Sequence, residues 1–535
     1  MEIPFGLNLP EQESVDPYGQ SLENVVITQF GAKLRIGSSE LIDSSSSSAV
    51  DGIYDWKEQS IVIAISAGDV FKMTDSAYLS GSVLLLESGD YLLLEDSSRL
   101  FLESSAAITD VSGATSMVSG TRVTWANFGD YLFMANGGNI MELHPSTSQV
   151  THGGNDYTCI YNNIDIEPGV TSGWATYWQD DGAGSSHSAW AGGVRYGSGK
   201  ADVVEDADCP TTVKFIDVAD SYLLAIDESY GFMAFSVVDE PWNWDSDYVS
   251  AEGLPDDATC LKVENSDVYV GGSRSVEIFQ NDGSTPWVSS SYGSITHGVL
   301  APYSFTYCKD VGFFVWIDND KRLVSLQGRI PSPLNPTLDT FISSLARVSD
   351  AIGDFIALNG VPFLILQFPS DEKTISVNLS NNTWSEWFST DTNDYKWDGN
   401  CVASVPRWDT VLIGDRTDGT IKSIDYRYKT DDGNDINAII RTPRVVTQGR
   451  ARVGHLVLYF LKETEAQSAG SATMTVRWRD DGNDWSTART VTLSDNEKTN
   501  YVKKTYRLGS YANHRQYEFD LTNLHPYTLT KVEQI

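Results

Sequence analysis

The chain has 535 residues, 41% hydrophobic and 11% aromatic, which excludes global disorder and allows one large domain with accessories or three ordinary ones. Its 73 Asp and Glu against 37 Lys and Arg give a formal net charge of −36, the opposite of what clamping DNA phosphates or reading duplex sequence requires. A surface past which DNA slides without sticking is compatible with that charge.

Cys159, Cys209, Cys260, Cys308 and Cys401 are odd in number, widely spaced and without a CxxC pair, so neither a disulfide framework nor a zinc site is expected and folding in a reducing compartment is the simpler reading. The opening Met1-Glu2-Ile3-Pro4-Phe5 has no basic n-region or apolar h-region, so no secretory leader is expected. The longest apolar runs, Ile61 to Ile65 and Val361 to Phe368, fall far short of the ~20 residues a spanning helix needs, and no stable membrane insertion is expected.

Residues 1–50 read as an extended N-terminal segment. From 51 to about 440 one pattern recurs: a short strand, a more apolar strand, a Gly/Asn/Asp turn and a third strand. Its apolar second strands begin at 61, 131, 222, 268, 313, 361 and 411, and the last four intervals are 46, 45, 48 and 50. Repeats of roughly 40–50 residues with about four strands each are the spacing of propeller blades, which must stack radially to bury both faces. Seven candidate units allow six or seven blades; unrelated hairpins in a sandwich are the alternative.

Two longer intervals, 70 and 91 residues, mark insertions. The first, at about 75–118, carries a Leu-rich eight-residue repeat (Val83 to Asp90, Tyr91 to Ser98, Arg99 to Ala106). Three apolar strands standing off the body would be an aggregation liability if bare, so Leu85, Leu93 and Phe101 are candidate interface residues. The second, at about 150–208, reads as a Gly-rich aromatic loop suited to contact, with Trp178 and Trp190 as candidates.

One helix is expected, Pro336 to Val348, with Leu338, Phe341, Ile342 and Leu345 on one face. From Arg441 the charge changes: 14 Lys and Arg against 10 Asp and Glu, while the preceding residues hold 23 against 63. Five strand candidates there predict a C-terminal β-sandwich, 441–535, facing a different partner or simply solvent. The fold expected is therefore all-β: a propeller of six or seven blades with β-rich insertions and this sandwich.

The chemistry of a catalyst is not written in the chain. The seven histidines form no HxxxH or HxH pair, Gly197-Ser198-Gly199-Lys200 lacks the Ser/Thr and the strand of a phosphate loop, and there is no GxSxG elbow. Asp480-Asp481-Gly482-Asn483-Asp484-Trp485 contains the D-x-G-x-x-W core of the Asp-box, a hairpin-turn element of sialidase propellers in which the aspartate caps a turn and the tryptophan packs beneath. Trp478 stands where that box has Ser or Thr. Asp431-Asp432-Gly433-Asn434-Asp435 is a similar acidic turn; neither has EF-hand spacing, and no metal or cofactor is expected. The enzymatic alternative is a propeller glycosidase or glycan-binding protein. A carboxylate pair for glycosidase work is compatible with so many acids, whereas an arginine cluster for sialic acid is disfavoured by the scarcity of arginine in the repeats.

The run Phe235-Ser236, Trp244, Tyr248, Ser250-Ala251-Glu252 and Pro255-Asp256 precedes Gly272-Ser273-Arg274-Ser275-Val276-Glu277-Ile278-Phe279. It resembles the packaged-DNA stabilisation proteins of short-tailed bacteriophages, where a G-x-x-S-[IV]-E strand follows such a stretch. Asn24-Val25-Val26, Gly31 and Leu34-Arg35 near the start resemble that family too, as do Val476-Arg477-Trp478, Asp481-Gly482 and Tyr506-Arg507-Leu508-Gly509 near the end. The resemblance makes Asp256, Gly272, Ser275, Glu277, Phe279, Asp481 and Gly482 structural signature positions. It implies a non-enzymatic tail hub or nozzle: a hexameric homo-oligomer below the portal and its adaptor, in contact with tail fibres or spikes and with a needle or plug. Such a ring retains packaged double-stranded DNA and later lets it pass without sequence-specific binding, through a channel expected to be lined by acids. Assembly is expected in the host cytoplasm and residence in the virion tail. The two insertions depart from the family's pattern, so no partner contact is carried over to them.

Overall fold

The computed structural model describes residues 2–3, 15–16, 21–28, 31–74, 108–113, 115–145, 149–152, 155–159, 178–180, 186–187, 199–204, 206–250, 256–283, 287–290, 294–358, 360–389, 397–425, 428, 430–447, 449–462, 472–493, 500–525 and 527–535. Within them the chain is nearly all strand, with one α-helix. No helix among the described residues is long and apolar enough to cross a membrane.

The repeats form seven four-stranded units, called sheets here and numbered in chain order by their first strands: Val50–Trp56, Thr124–Phe128, Val213–Ala219, Ala258–Glu264, Thr306–Cys308, Ile352–Leu358 and Gly399–Val405; the sixth is part of an eleven-stranded sheet and the seventh of a six-stranded one. In sheets 1 to 6 each strand pairs antiparallel with the next. Sheet 7 takes its fourth strand, Ser38–Asp43, from the other end of the chain. By contacts the chain divides into two compact units. One is Glu40–Val299 with Gly399–Lys422; the other is Met1–Ser39, Leu300–Asp398 and Ser423–Ile535.

In the first unit, sheets 7, 1, 2, 3 and 4 pack side by side through their leading strands. Period-2 alternation explains how. In Ile61–Ser66, Val62 and Ala64 join a core with Cys401, Val405 and Leu412 of sheet 7, while Ile61, Ile63 and Ile65 join a core with Leu132 and Met134 of sheet 2. In Tyr131–Ala135, Leu132 and Met134 turn to sheet 1, and Tyr131, Phe133 and Ala135 to sheet 3. Each second strand is buried on both faces and therefore reads as a continuous apolar run. Polar clasps join neighbouring sheets. The Trp56 indole N–H donates to Asn127 at 3.0 Å, the Thr124 hydroxyl to the Lys214 carbonyl at 2.7 Å, the Asn400 amide to the Val50 carbonyl at 2.9 Å, and the Val263 N–H to the Asp217 carboxylate at 3.0 Å.

In the second unit, sheets 5 and 6 share a core with the helix, which contributes Leu338 and Ile342. The helix spans Pro336–Ser344, starting as the sequence predicts and ending earlier than Val348 because the backbone turns extended at Leu345. Asn335 caps it, accepting from the N–H groups of Thr337 and Leu338 at 2.9 and 3.2 Å. The rest of this unit is two sheets over one core. One runs Val25–Thr28, Gly31–Leu34, Tyr527–Gln534, His455–Lys462, Asn500–Tyr506. In the other, His514–Asp520 lies between Ala472–Asp480 on one side and Arg444–Val446 with Ile439–Arg441 on the other. Strand Ser21–Glu23 then joins this second sheet to sheet 6, antiparallel to Ile439–Arg441 and parallel to Thr383–Trp387.

The second insertion is more than a loop: Gln149–His152, Asn155–Cys159, Trp178–Asp180 and Ser186–His187 form their own four-stranded sheet. Leu85, Leu93, Phe101 and Trp190 lie outside the described residues. Cys209, Cys260, Cys308 and Cys401 are buried and form no disulfide among the described residues, and burial pushes Cys260 and Cys308 up to about 12.

Candidate functional site

Five of the signature positions meet in sheet 4. Its second and third strands, Asp267–Gly272 and Val276–Gln280, are joined by a tight turn closed by the Gly272 N–H on the Ser275 carbonyl, 2.8 Å. The Asp256 carboxylate caps that turn, accepting from the N–H groups of Arg274 and Ser275. A Cβ on Gly272 would sit 2.1 Å from the Asp256 Oδ1, so any side chain there expels the carboxylate. Glu277 and Phe279 are buried on the following strand. The cluster fixes a hairpin.

Aspartate capping recurs in other sheets, at turns that the sequence showed only as Gly/Asn/Asp breaks between strands. Asp227 accepts from the Ser229 N–H at 2.8 Å. Asp318, fully buried, accepts from the N–H groups of Asp320 and Arg322, both 2.9 Å, and is gripped by the Arg322 guanidinium at 3.1 and 2.9 Å. Asp415 accepts from the Thr417 N–H and hydroxyl at 2.7 and 2.6 Å and pairs with the Lys422 ammonium at 2.7 Å. Burial opposes the Asp415 charge, but Lys422 and Thr417 hold its carboxyl below the usual value. An aspartate at the end of each of these second strands, or one residue beyond it, was the signal available in the sequence.

The remaining signature positions, Asp481 and Gly482, form a turn with φ of +54° and +79°. Asp481 accepts from the N–H groups of Ala512, Asn513 and His514 at 3.0, 2.7 and 2.9 Å, and these bonds, the one from His514 foremost, hold its carboxyl low. Asp480 grips the buried Arg515 at 2.6 and 2.7 Å, and Arg515 lies against the rings of Tyr511, Trp478 and Tyr517. Capping here is done by Asp481, whereas Asp480, the aspartate of the D-x-G-x-x-W core that the Asp-box resemblance expected to cap a turn, is spent on Arg515. The tryptophan differs: Trp485 is half-buried, and its ring lies under Arg477 and Arg479, 5.3 and 4.8 Å from the guanidinium carbons.

Arg477 belongs to a ladder across the sheet. Glu23 pairs with Arg441, Arg441 with Glu518 at 2.9 Å, and Glu518 with Arg477. Near the start of the chain, Arg35 is buried against Asp431, Asn24 and the Phe388 carbonyl, which explains why Asn24 and Arg35 stand in the family-like opening. Beyond the ladder, Arg479 reaches the Gln516 carbonyl oxygen at 2.8 Å and Arg489 covers Trp478 at 5.4 Å; neither meets a carboxylate among the described residues.

One feature of sheet 3 was not anticipated. Tyr230, in the turn before the third strand, stacks on Phe232, and Phe232 on Tyr248 of the fourth, with centroids 5.4 and 4.3 Å apart. Phe232 pairs with Asp227, and Ala234 with Tyr248; this register brings the rings together. Of the sequence candidates for contact, Trp178 lies in the insertion sheet, paired with Cys159 and His187. Among the described residues no three His, Cys, Asp or Glu side chains converge as a metal site requires.

A profile of the phage stabilisation family, described as bacteriophage P22 gp10, β-propeller, matches residues 96–429. Among solved structures, the extracellular domain of a hybrid two component system from B. thetaiotaomicron is similar at 8% identity and a TM-score of 0.38, over 92% of this chain and 61% of that one. The Neurospora crassa Pan2 WD40 domain is similar at 9% identity and a TM-score of 0.34, over 74% of this chain and 97% of that one. Kluyveromyces lactis Hsv2 follows at 8% identity and a TM-score of 0.26, over 64% and 97%. The chain therefore spans about three fifths of the length of the first of these structures. No curated protein matches it.

Proposed function

The chain belongs to the phage stabilisation family of bacteriophage P22 gp10, a β-propeller family, and from that membership we propose that it is a structural tail hub, or nozzle, subunit of a short-tailed phage. Copies form a hexameric ring below the portal and its adaptor, which carries fibres or spikes and, with a needle or plug, retains packaged DNA. Later the ring is the conduit through which the genome leaves. The subunit assembles in the host cytoplasm, travels in the virion tail, and works by its shape rather than by catalysis.

The observation that carries this reading is the family match, which covers more than half of the chain. The physical character of the chain supports it. Sheets that share apolar cores on both faces, with hairpins capped by aspartates, make a stiff body. A net charge of −36 keeps DNA from adhering, and at physiological salt the repulsion reaches only about 8 Å, which hinders sticking without blocking transit.

Particles assembled without this chain test the reading. Nuclease-accessible DNA should rise in its absence and fall when purified protein is added back. Unchanged DNA retention, or cleavage of capsule sugar by the purified chain, would favour a glycan-directed protein instead. Deleting residues 82–105 asks whether the Leu-rich repeat belongs to the ring contact: assembly should be impaired, and rings of normal size would remove the repeat from it.

A further inference from the structure

Tyr230 and Tyr248 are 73% and 60% exposed, yet both rings are held against Phe232 with interplanar angles of only 17° and 26°. A rigid, exposed aromatic stack has already lost the rotamer freedom that binding would otherwise cost, as the anchors of recognition surfaces do. Its surroundings are acidic. Asp227 ends the strand below it and Asp257 packs under Gly231, where an added Cβ would fall 2.7 Å from the Asp257 Cβ, while Glu228, before the turn, is paired with Lys214 at 2.8 Å. The unit that carries the stack holds 42 Asp and Glu against 12 Lys and Arg.

The C-terminal sandwich offers the complement. Asp480 and Asp481 direct their charge inward, to Arg515 and to three backbone N–H groups. Arg479 and Arg489 are left with neutral partners, a glutamine oxygen and two indole rings, and are fixed in place by them. Guanidinium groups bind aromatic faces by cation–π stacking, and opposite local charge orients the approach. A closed ring of identical copies needs two different patches on every copy, one meeting the other on its neighbour.

We propose that the Tyr230–Phe232–Tyr248 stack of one copy receives Arg479 and Arg489 of a second copy. The assignment rests on the ring reading above. It names the anchor of the contact, around which a stable interface buries on the order of 1,600 Å².

Full-length protein followed by size exclusion with mass measurement provides the test. Tyr230→Ala/Tyr248→Ala and Arg479→Glu/Arg489→Glu should each turn wild-type rings into monomers at unchanged far-UV circular dichroism. Mixed in equal amounts, the two variants should form a 1:1 heterodimer and no ring, because one intact stack meets one intact arginine pair. That heterodimer also shows that both variants are folded. Rings that persist in either variant, or a mixture that stays monomeric, would overturn the assignment and leave the ring reading standing. A wild-type chain that is itself monomeric at every concentration would overturn the ring reading as well. Retention of wild-type chain on an immobilised oligosaccharide, lost in the tyrosine variant, would give the stack to a sugar and overturn the assignment.

Discussion

Strands Ile61–Ser66 and His514–Asp520 are both buried along most of their length, by different chemistry. The first sends Ile and Val to both sides, into two apolar cores. The second alternates Tyr517 and Phe519, which face one core, with Gln516 and Glu518, which meet arginines, and its second residue is the fully buried Arg515. Apolar burial is non-directional, so a strand held that way tolerates small changes of shape. A buried charge needs each partner in place, and loss of one leaves the other uncompensated. The repeated sheets should therefore respond gradually to substitution, and the sandwich sharply.

Arg515→Ala probes the sharp side: it strips Asp480 of its partner and empties the cage of rings, at a cost of about 4 kcal/mol by denaturant unfolding. Arg515→Lys should recover little of that, because an ammonium cannot reproduce the two-nitrogen grip. Ile63→Ala should cost about 3 kcal/mol and Ile63→Val only about 1 kcal/mol. Equal tolerance of the conservative change at both sites would break the comparison.

Gly272→Ala should cost about 2 kcal/mol, by displacing Asp256 from its turn and leaving the Arg274 and Ser275 N–H groups without their acceptor. Hydrogen exchange at those two amides reads the loss directly. The smallest effect concerns pH. Asp415 has a folded pKa below its unfolded value, so its contribution is present above about pH 4 and is lost as pH falls through the folded value. The stability difference between wild type and Asp415→Asn should be full at about pH 6 and shrink as the pH falls below about 4. A difference that stays constant over that range would remove the Lys422 pair from the account.

How much of this was legible depended on the range of the contacts. The apolar runs beginning at Ile61, Tyr131, Tyr222, Val268, Phe313, Val361 and Val411 lie in the second strands of the seven sheets, because burial on both faces leaves no polar positions to interrupt them. The turn of Asp256 and Gly272 was visible as a motif since its parts are close in sequence. Strand Ser21–Glu23 was not, because its partners are Ile439–Arg441 and Thr383–Trp387 and its own pattern does not say which sheet it enters. Strand Ser38–Asp43, completing sheet 7, was hidden for the same reason. The Tyr230 stack depends on cross-strand register, which residue spacing alone does not reveal.

The central claim is that this chain is a rigid ring subunit without a catalytic task. Mass measurement with negative-stain imaging of the purified full-length protein tests it most directly. Closed rings of about six copies are the result the account predicts. A stable monomer that degrades a polysaccharide would contradict it.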